Sequence, residues 1–440
     1  MRFHCAKPDL RIIVATDMKR PVFRFCPSLV AVGLLITMVS APVSRAGIVQ
    51  APYQLAIWEG FRPAAISYTF DDSLPNQYNI AVPMFHAAGL KMTLFTVTSW
   101  VGGTDRPTWA QVQTAASYGD EIASHTVTHA DLVSATPTQL TNEIVNSQST
   151  INSYITNQSC LTIAYPNCDV PSNLGLVQQY YFAGRGCGAT LNSGTPLGGS
   201  MALGAYILGS TGVYYTGDSL NSLADSAVTA GRWCVYLIHA IDGDNGYSPL
   251  PSASLQASVN YTSTNQSKFW VETFGNVERY IKERMNAFVT ETANTGTSIT
   301  VQVTNNLDNT IFNYPITLRR PLPGNWMGAT VTQNGQPITA QMVTINTTNY
   351  VMVDVVPNGG DIVITATVLR FTLSNPTLTP PGIFTLQLNG QSNVSYALYT
   401  SPDLLNWLPL QTNTLVSNSA IFTVDASSNS LQFYRARWAP

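Results

Sequence analysis

The sequence predicts an α/β domain built on parallel strands, followed by one or two all-β modules. Three observations carry this reading. Short apolar runs alternate with helical stretches from Ala64 to about Phe288. The runs are apolar almost throughout, as strands buried on both faces require. After about Glu291 helical periodicity gives way to Thr, Asn, Val and Ile punctuated by turn dipeptides. Strand–helix alternation implies a parallel sheet.

Five segments read as strands: AAISYTF (Ala64–Phe70), KMTLFTV (Lys91–Val97), EIAS (Glu121–Ser124), LTIAY (Leu161–Tyr165) and WCVYLIH (Trp233–His239). Pro137–Tyr154 reads as a helix, with Thr136 as its cap, Pro137 in the first turn, and Leu140, Ile144, Ile151 and Tyr154 along one stripe. A last helix is expected over Lys268–Phe288, with Phe269, Phe274, Val277, Ile281 and Met285 on its apolar side. Four segments follow: a signal peptide over 1–46, the α/β domain over 47–290, a β-sandwich-like module over 291–368 and a C-terminal β module over 369–440. In the last, Trp407, Phe433, Tyr434 and Trp438 are aromatic anchors, expected first to pack a sandwich core, with polysaccharide binding as the alternative.

The N-terminal expectation has its own logic. Met18, Lys19, Arg20 and Arg24 make a basic stretch, Ser28–Val39 an apolar run, and Ser44-Arg45-Ala46 a cleavage signature. The run is shorter than the roughly 20 residues a membrane-spanning helix needs. Sec-type export to the periplasm, cell surface or medium is therefore expected, with no stable membrane anchor after cleavage. From residue 47 onward the chain carries 14 basic and 22 acidic residues. An acidic chain with 10% charged residues offers no surface for a phosphate backbone, which argues against nucleic acid. Cys160, Cys168, Cys187 and Cys234 remain after cleavage, permitting one or two disulfides in any of three full pairings.

Chemistry concentrates at strand ends. Asp71-Asp72 follows the first strand, His125 the third, and His239 ends the fifth; in a parallel α/β barrel such ends open onto one mouth. SHTVTH supplies His125 and His129, four residues apart and able to grip one ion, and Asp72 adds an oxygen. Two imidazoles and a carboxylate suit a first-row divalent ion, zinc first, with cobalt or nickel as alternatives. Asp71 points away from its neighbour in extended backbone and is free for proton work, and His239 is placed to protonate a leaving group. His86, inside a helical run, is assigned to structure.

TFDD (Thr69–Asp72), HTVTH (His125–His129) and LIH (Leu237–His239), in this order, resemble the polysaccharide deacetylase family, also called NodB homology or carbohydrate esterase family 4. The resemblance runs from about Ala64 to Phe288. It implies a distorted (β/α) barrel, Asp71 as base, Asp72, His125 and His129 as metal ligands, His239 as acid, and a polysaccharide substrate. Two departures stand out. Ala164-Tyr165-Pro166-Asn167 occupies the place of the family's RxPY, so the arginine that orients the catalytic Asp is missing; Arg185 is a candidate replacement or a plain turn arginine. The family's Asp and Trp pair behind the acid His has no clear match; Asp218, Asp225 and Asp242 are candidates for the Asp, and Trp233 either walls the cleft or fills the core. Tyr165, Pro166, Asn167, Arg185, Trp233 and Asp242 are the expected substrate contacts.

The expected activity is removal of acetyl groups, N-acetyl favoured, from an extracellular or wall polysaccharide. An acetylxylan esterase using the same site is the nearest alternative. A degenerate glycan-binding protein is another, motivated by the missing arginine. A mononuclear iron oxygenase shares the two-His, one-carboxylate set but conflicts with the strand–helix alternation.

Overall fold

The computed structural model describes residues 47–195, 199–324, 326–367, 371–427 and 431–439. The expected signal peptide, and the module boundary at 368/369, lie outside them. The structure is a distorted (β/α) barrel followed by antiparallel β modules. A first short strand, β1 (Gln54–Leu55), precedes the barrel. The barrel strands are β2 (Ala64–Phe70), β3 (Thr93–Thr96), β4 (Glu121–Ser124), β5 (Thr162–Ala164), β6 (Ala183–Arg185), β7 (Tyr206–Ile207), β8 (Trp233–Ile238) and β9 (Phe269–Val271). They run parallel in the order β6-β5-β4-β3-β2-β8-β7, with β9 also paired to β2.

Every residue of β2 and β8 is buried, as the unbroken apolar runs foretell. The two faces meet different partners. Ile66, Tyr68, Phe70, Ile122, Tyr236 and Ile238 face the helical layer, whereas Ala65, Ala123, Ala164, Ala183, Val235 and Leu237 join the core inside the curl. The helices are α1 (Val82–Ala88), α2 (Trp109–Ser117), α3 (Pro137–Tyr154), α4 (Leu174–Val177), α5 (Gly217–Ala230), α6 (Ser252–Thr264) and α7 (Phe274–Asn286). The α3 helix starts as its sequence dictates: the Thr136 side chain accepts from the Gln139 N–H in a capping box, and Pro137 occupies the first turn.

The helix expected over Lys268–Phe288 is divided. Phe269–Val271 is strand β9 and only Phe274–Asn286 is helical, because β9 finds a ladder partner on β2 and the Thr273 side chain then caps the new helix. Helix α7 packs the barrel onto the β region behind it: the Tyr280 hydroxyl donates to the Ala56 carbonyl and accepts from the Thr317 N–H.

Behind the barrel two antiparallel sheets share a core containing Ile299, Val301, Leu318, Trp326, Val353 and Ile364. Residues 47–57 belong with these sheets by hydrogen bonding. Val49 bridges Val289, and β1 pairs with the strand Ile316–Pro321. Two further three-stranded sheets enclose Leu386, Leu388, Tyr396, Leu398 and Phe422. There Tyr434 and Trp438 pack against the core, while Trp407 is covered by the Arg435 guanidinium at 4.1 Å.

Candidate active site

Strand alternation aims the site. Thr69, Ala123, Ala183 and Leu237 point into the curled sheet, so two residues further on Asp71, His125, Arg185 and His239 point the same way at its C-terminal rim. Asp72 then departs from extended backbone with φ 73°, and His129 has φ 61°, a left-handed region that non-glycine residues occupy at a cost. These side chains line a cavity of about 340 Å³ together with Tyr165, Asn167, Ile207, Leu237, Tyr247 and the Cys168–Cys187 disulfide.

One carboxylate and two imidazoles converge. One donor atom each from Asp72, His125 and His129 lies within 4.8 Å of the others. Asp72 Oδ1 is 3.6 Å from His125 Nε2 and 3.4 Å from His129 Nε2, and it is buried without a hydrogen-bond partner. His125 Nδ1 donates to the Ala164 carbonyl at 2.9 Å, which fixes the tautomer and leaves Nε2 as a lone-pair donor facing Asp72. Burial is the largest influence on His125 and pulls its pKa down to about 4, so the ring is neutral. An orphaned carboxylate oxygen facing two imidazole nitrogens fits a divalent cation.

Beside this trio, the Arg185 Nη2 donates to Asp71 Oδ2. Burial alone would raise the Asp71 pKa, but the neighbouring electrostatics, the Arg185 guanidinium foremost, outweigh it and hold it below the usual carboxylate value. Asp71 Oδ1 stays buried and unpartnered. Asp72 is pushed the other way, by burial and then by the Asp71 charge. Gln77 ties the strand ends: its amide donates to the Asp71 carbonyl at 2.5 Å and the His239 carbonyl at 2.9 Å, while its Oε1 accepts from the Leu74 N–H. Glu143 on α3 likewise anchors the histidine loop, accepting from the Val127 and Thr128 N–H groups.

A polysaccharide deacetylase family profile matches residues 60–181. The match takes in Asp71, Asp72, His125, His129 and the Tyr165–Asn167 turn; Arg185 and His239 lie beyond it. Among curated proteins, the chain is 26% identical over 330 residues to a gellan lyase of a Bacillus species, covering 70% of this chain and 13% of that protein. It is 32% identical over 98 residues to YxkH of Bacillus subtilis (strain 168), named as a polysaccharide deacetylase, covering 22% of this chain and 35% of that protein. The chain thus spans only 13% and 35% of the length of these relatives. Similar solved structures include the Streptococcus pyogenes deacetylase PplD in complex with acetate, at 28% identity and TM-score 0.29, covering 31% of this chain and 61% of that one. Another, from Mycobacterium smegmatis, aligns at 15% identity and TM-score 0.40 over 51% of this chain and 92% of that one.

The expected substrate contacts divide. Tyr165, Asn167 and Arg185 line the cavity. Pro166 is buried in the turn behind Asn167 and is absent from the lining. Trp233 is not a cleft wall: it is fully buried inside the curl, its indole N–H donating to Ser67 Oγ, because it starts β8 at the end opposite the rim. Asp242 is exposed and accepts from the Ser252 N–H at the start of α6. None of the candidate carboxylates backs the acid histidine, for His239 Nδ1 is buried with no partner among the described residues. Asp225 accepts from the Tyr261 hydroxyl instead, and Asp218 sits in the first turn of α5. Sequence reasoning missed Tyr247, whose ring meets His239 edge-on at 5.1 Å; an aromatic eight residues past a strand-end histidine is the one signal available. It also missed Gln77 and Glu143, whose roles are visible only as hydrogen bonds.

Proposed function

We propose that this chain is an exported, metal-dependent deacetylase that removes acetyl groups, N-acetyl by preference, from an extracellular or cell-wall polysaccharide. The observation that carries the reading is the convergence of the Asp72, His125 and His129 donor atoms beside an Arg185-held Asp71 and His239 in one cavity. Asp72, His125 and His129 would hold the ion, zinc first. When bound there, a divalent ion polarises the acetyl carbonyl and acidifies water.

The remaining work belongs to side chains. Arg185 keeps Asp71 ionised, and Asp71 Oδ1, free of partners, accepts the proton of the attacking water. A backbone N–H of the Pro166-Asn167 turn faces the developing oxyanion, and His239 protonates the departing nitrogen. The Arg185–Asp71 contact fills the place whose vacancy motivated a degenerate, binding-only reading. The Cys168–Cys187 bridge suits the oxidising compartment that export implies.

One observation favours a second reading. A departing amine needs its proton more than an alkoxide does, and His239 Nδ1 has no hydrogen-bond partner among the described residues, which favours an acetate ester such as acetylxylan. Acetate release from chitin oligomers and acetylxylan, measured side by side, separates the two. Release from neither, with metal supplied, would remove the deacetylase reading altogether.

A further inference from the structure

The loop after β3 does something for the site that no motif announces. Arg106 Nη1 donates to the Asp72 carbonyl at 2.7 Å. Its guanidinium lies over the Trp100 ring at 4.3 Å, and that ring stacks on His129 with centroids 5.4 Å apart and 22° between planes. Asp72 Oδ1 in turn stands 3.4 Å from His129 Nε2. The four residues Asp72, Arg106, Trp100 and His129 therefore form a closed circuit. The same loop is laced to the histidine loop by backbone bonds from Thr98 N–H to the Thr126 carbonyl at 3.2 Å and from Ser99 N–H to the Val127 carbonyl at 3.0 Å.

We propose that Arg106 and Trp100 are positioning residues that lock Asp72 and His129 in the geometry a divalent cation requires. The physical need is plain. Asp72 and His129 both sit at positive φ, and such conformers persist only where surroundings over-determine them. His125 is held by the Ala164 carbonyl, but the His129 ring is partly exposed, and besides its edge contact with His125 the stack on Trp100 limits its rotation. Outlying partners of this kind typically account for about 10- to 100-fold in metal affinity.

This inference rests on the metal reading above. Its test uses the full chain, metal-free and then titrated with Zn²⁺ against a chromophoric chelator, with Co²⁺ absorption reporting coordination geometry. Trp100→Ala and Arg106→Ala are expected to bind Zn²⁺ about 10- to 100-fold more weakly and to alter the Co²⁺ spectrum. Trp100→Phe, which keeps a ring to stack, is expected to stay within a few-fold of wild type. Trp100→Leu, which fills the volume without a π face, decides the matter if an alanine variant does not melt cooperatively. Wild-type affinity in folded Trp100→Leu and Arg106→Ala would overturn the clamp alone. A wild-type chain that takes up no Zn²⁺ or Co²⁺ would overturn the metal reading and the clamp with it.

Discussion

Arg185 at the end of β6 donates to Asp71 at the end of β2, although three strands lie between them in the sheet. Only the curl of the sheet brings an edge strand's last residue onto a central one. The guanidinium is 1% exposed and the carboxylate 3%, so each charge depends on the other: removing one partner of such a pair costs about 3–5 kcal/mol. Arg185→Ala is expected to lower the melting temperature and reduce acetate release at least 10-fold, with Zn²⁺ affinity kept. Arg185→Lys should recover part of both. Unchanged turnover in a folded Arg185→Ala chain would show that Asp71 needs no guanidinium.

The Cys168–Cys187 bridge joins the turn after Asn167 to the segment after Arg185, so it ties two cavity walls together. With a sequence separation of 19 between its ends, it stabilises the fold by about 3 kcal/mol in the chain-entropy view. The double variant Cys168→Ser/Cys187→Ser should melt lower and turn over more slowly, and reductant should do the same to wild type but not to the variant. Cys160 and Cys234 are buried free thiols and should react with a thiol reagent only after unfolding.

Asp120 offers a pH test away from the site. It is buried, and burial, only partly offset by the bond from the Met92 N–H, raises its pKa to about 7. The folded chain therefore retains a proton that the unfolded chain releases near pH 4. Stability from this group is full below pH 4 and is lost as pH rises toward 7, by up to about 4 kcal/mol. Asp120→Asn should flatten that fall, so the urea midpoints of variant and wild type should diverge between pH 4 and 8. Parallel curves would mean that Asp120 ionises normally.

Tyr247 is 53% exposed and touches His239 edge-on at the cavity mouth. Tyr247→Ala should leave stability within about 0.5 kcal/mol of wild type, as for ordinary surface positions, yet raise KM for oligomeric substrates. An unaltered KM would place the ring outside the substrate path.

Much of this was legible in the sequence. AAISYTF and WCVYLIH are strands because a residue buried on both faces leaves an apolar run, and the same period places Asp71 and His239 inward. What stayed hidden depends on three-dimensional adjacency. AGR gives no strand signal in three residues, so the sequence leaves Arg185 open between a replacement for the missing arginine and a turn arginine; the pairing of β6 with β5 is what carries it to Asp71. Trp233 and Asp242 carry the right residue types, but one begins its strand at the far end of the curl and the other turns outward to cap α6. The clamp of Arg106 and Trp100 sits in a loop whose composition says only that it is exposed.

The proposed activity depends on Asp72, His125 and His129 sharing one divalent cation, and metal content of the purified chain, paired with acetate release before and after chelation, tests it. One zinc-class ion per wild-type chain, close to none in His125→Ala, and activity abolished by chelator and restored by added metal are the results expected. Full acetate release from a chain shown to be metal-free would contradict it.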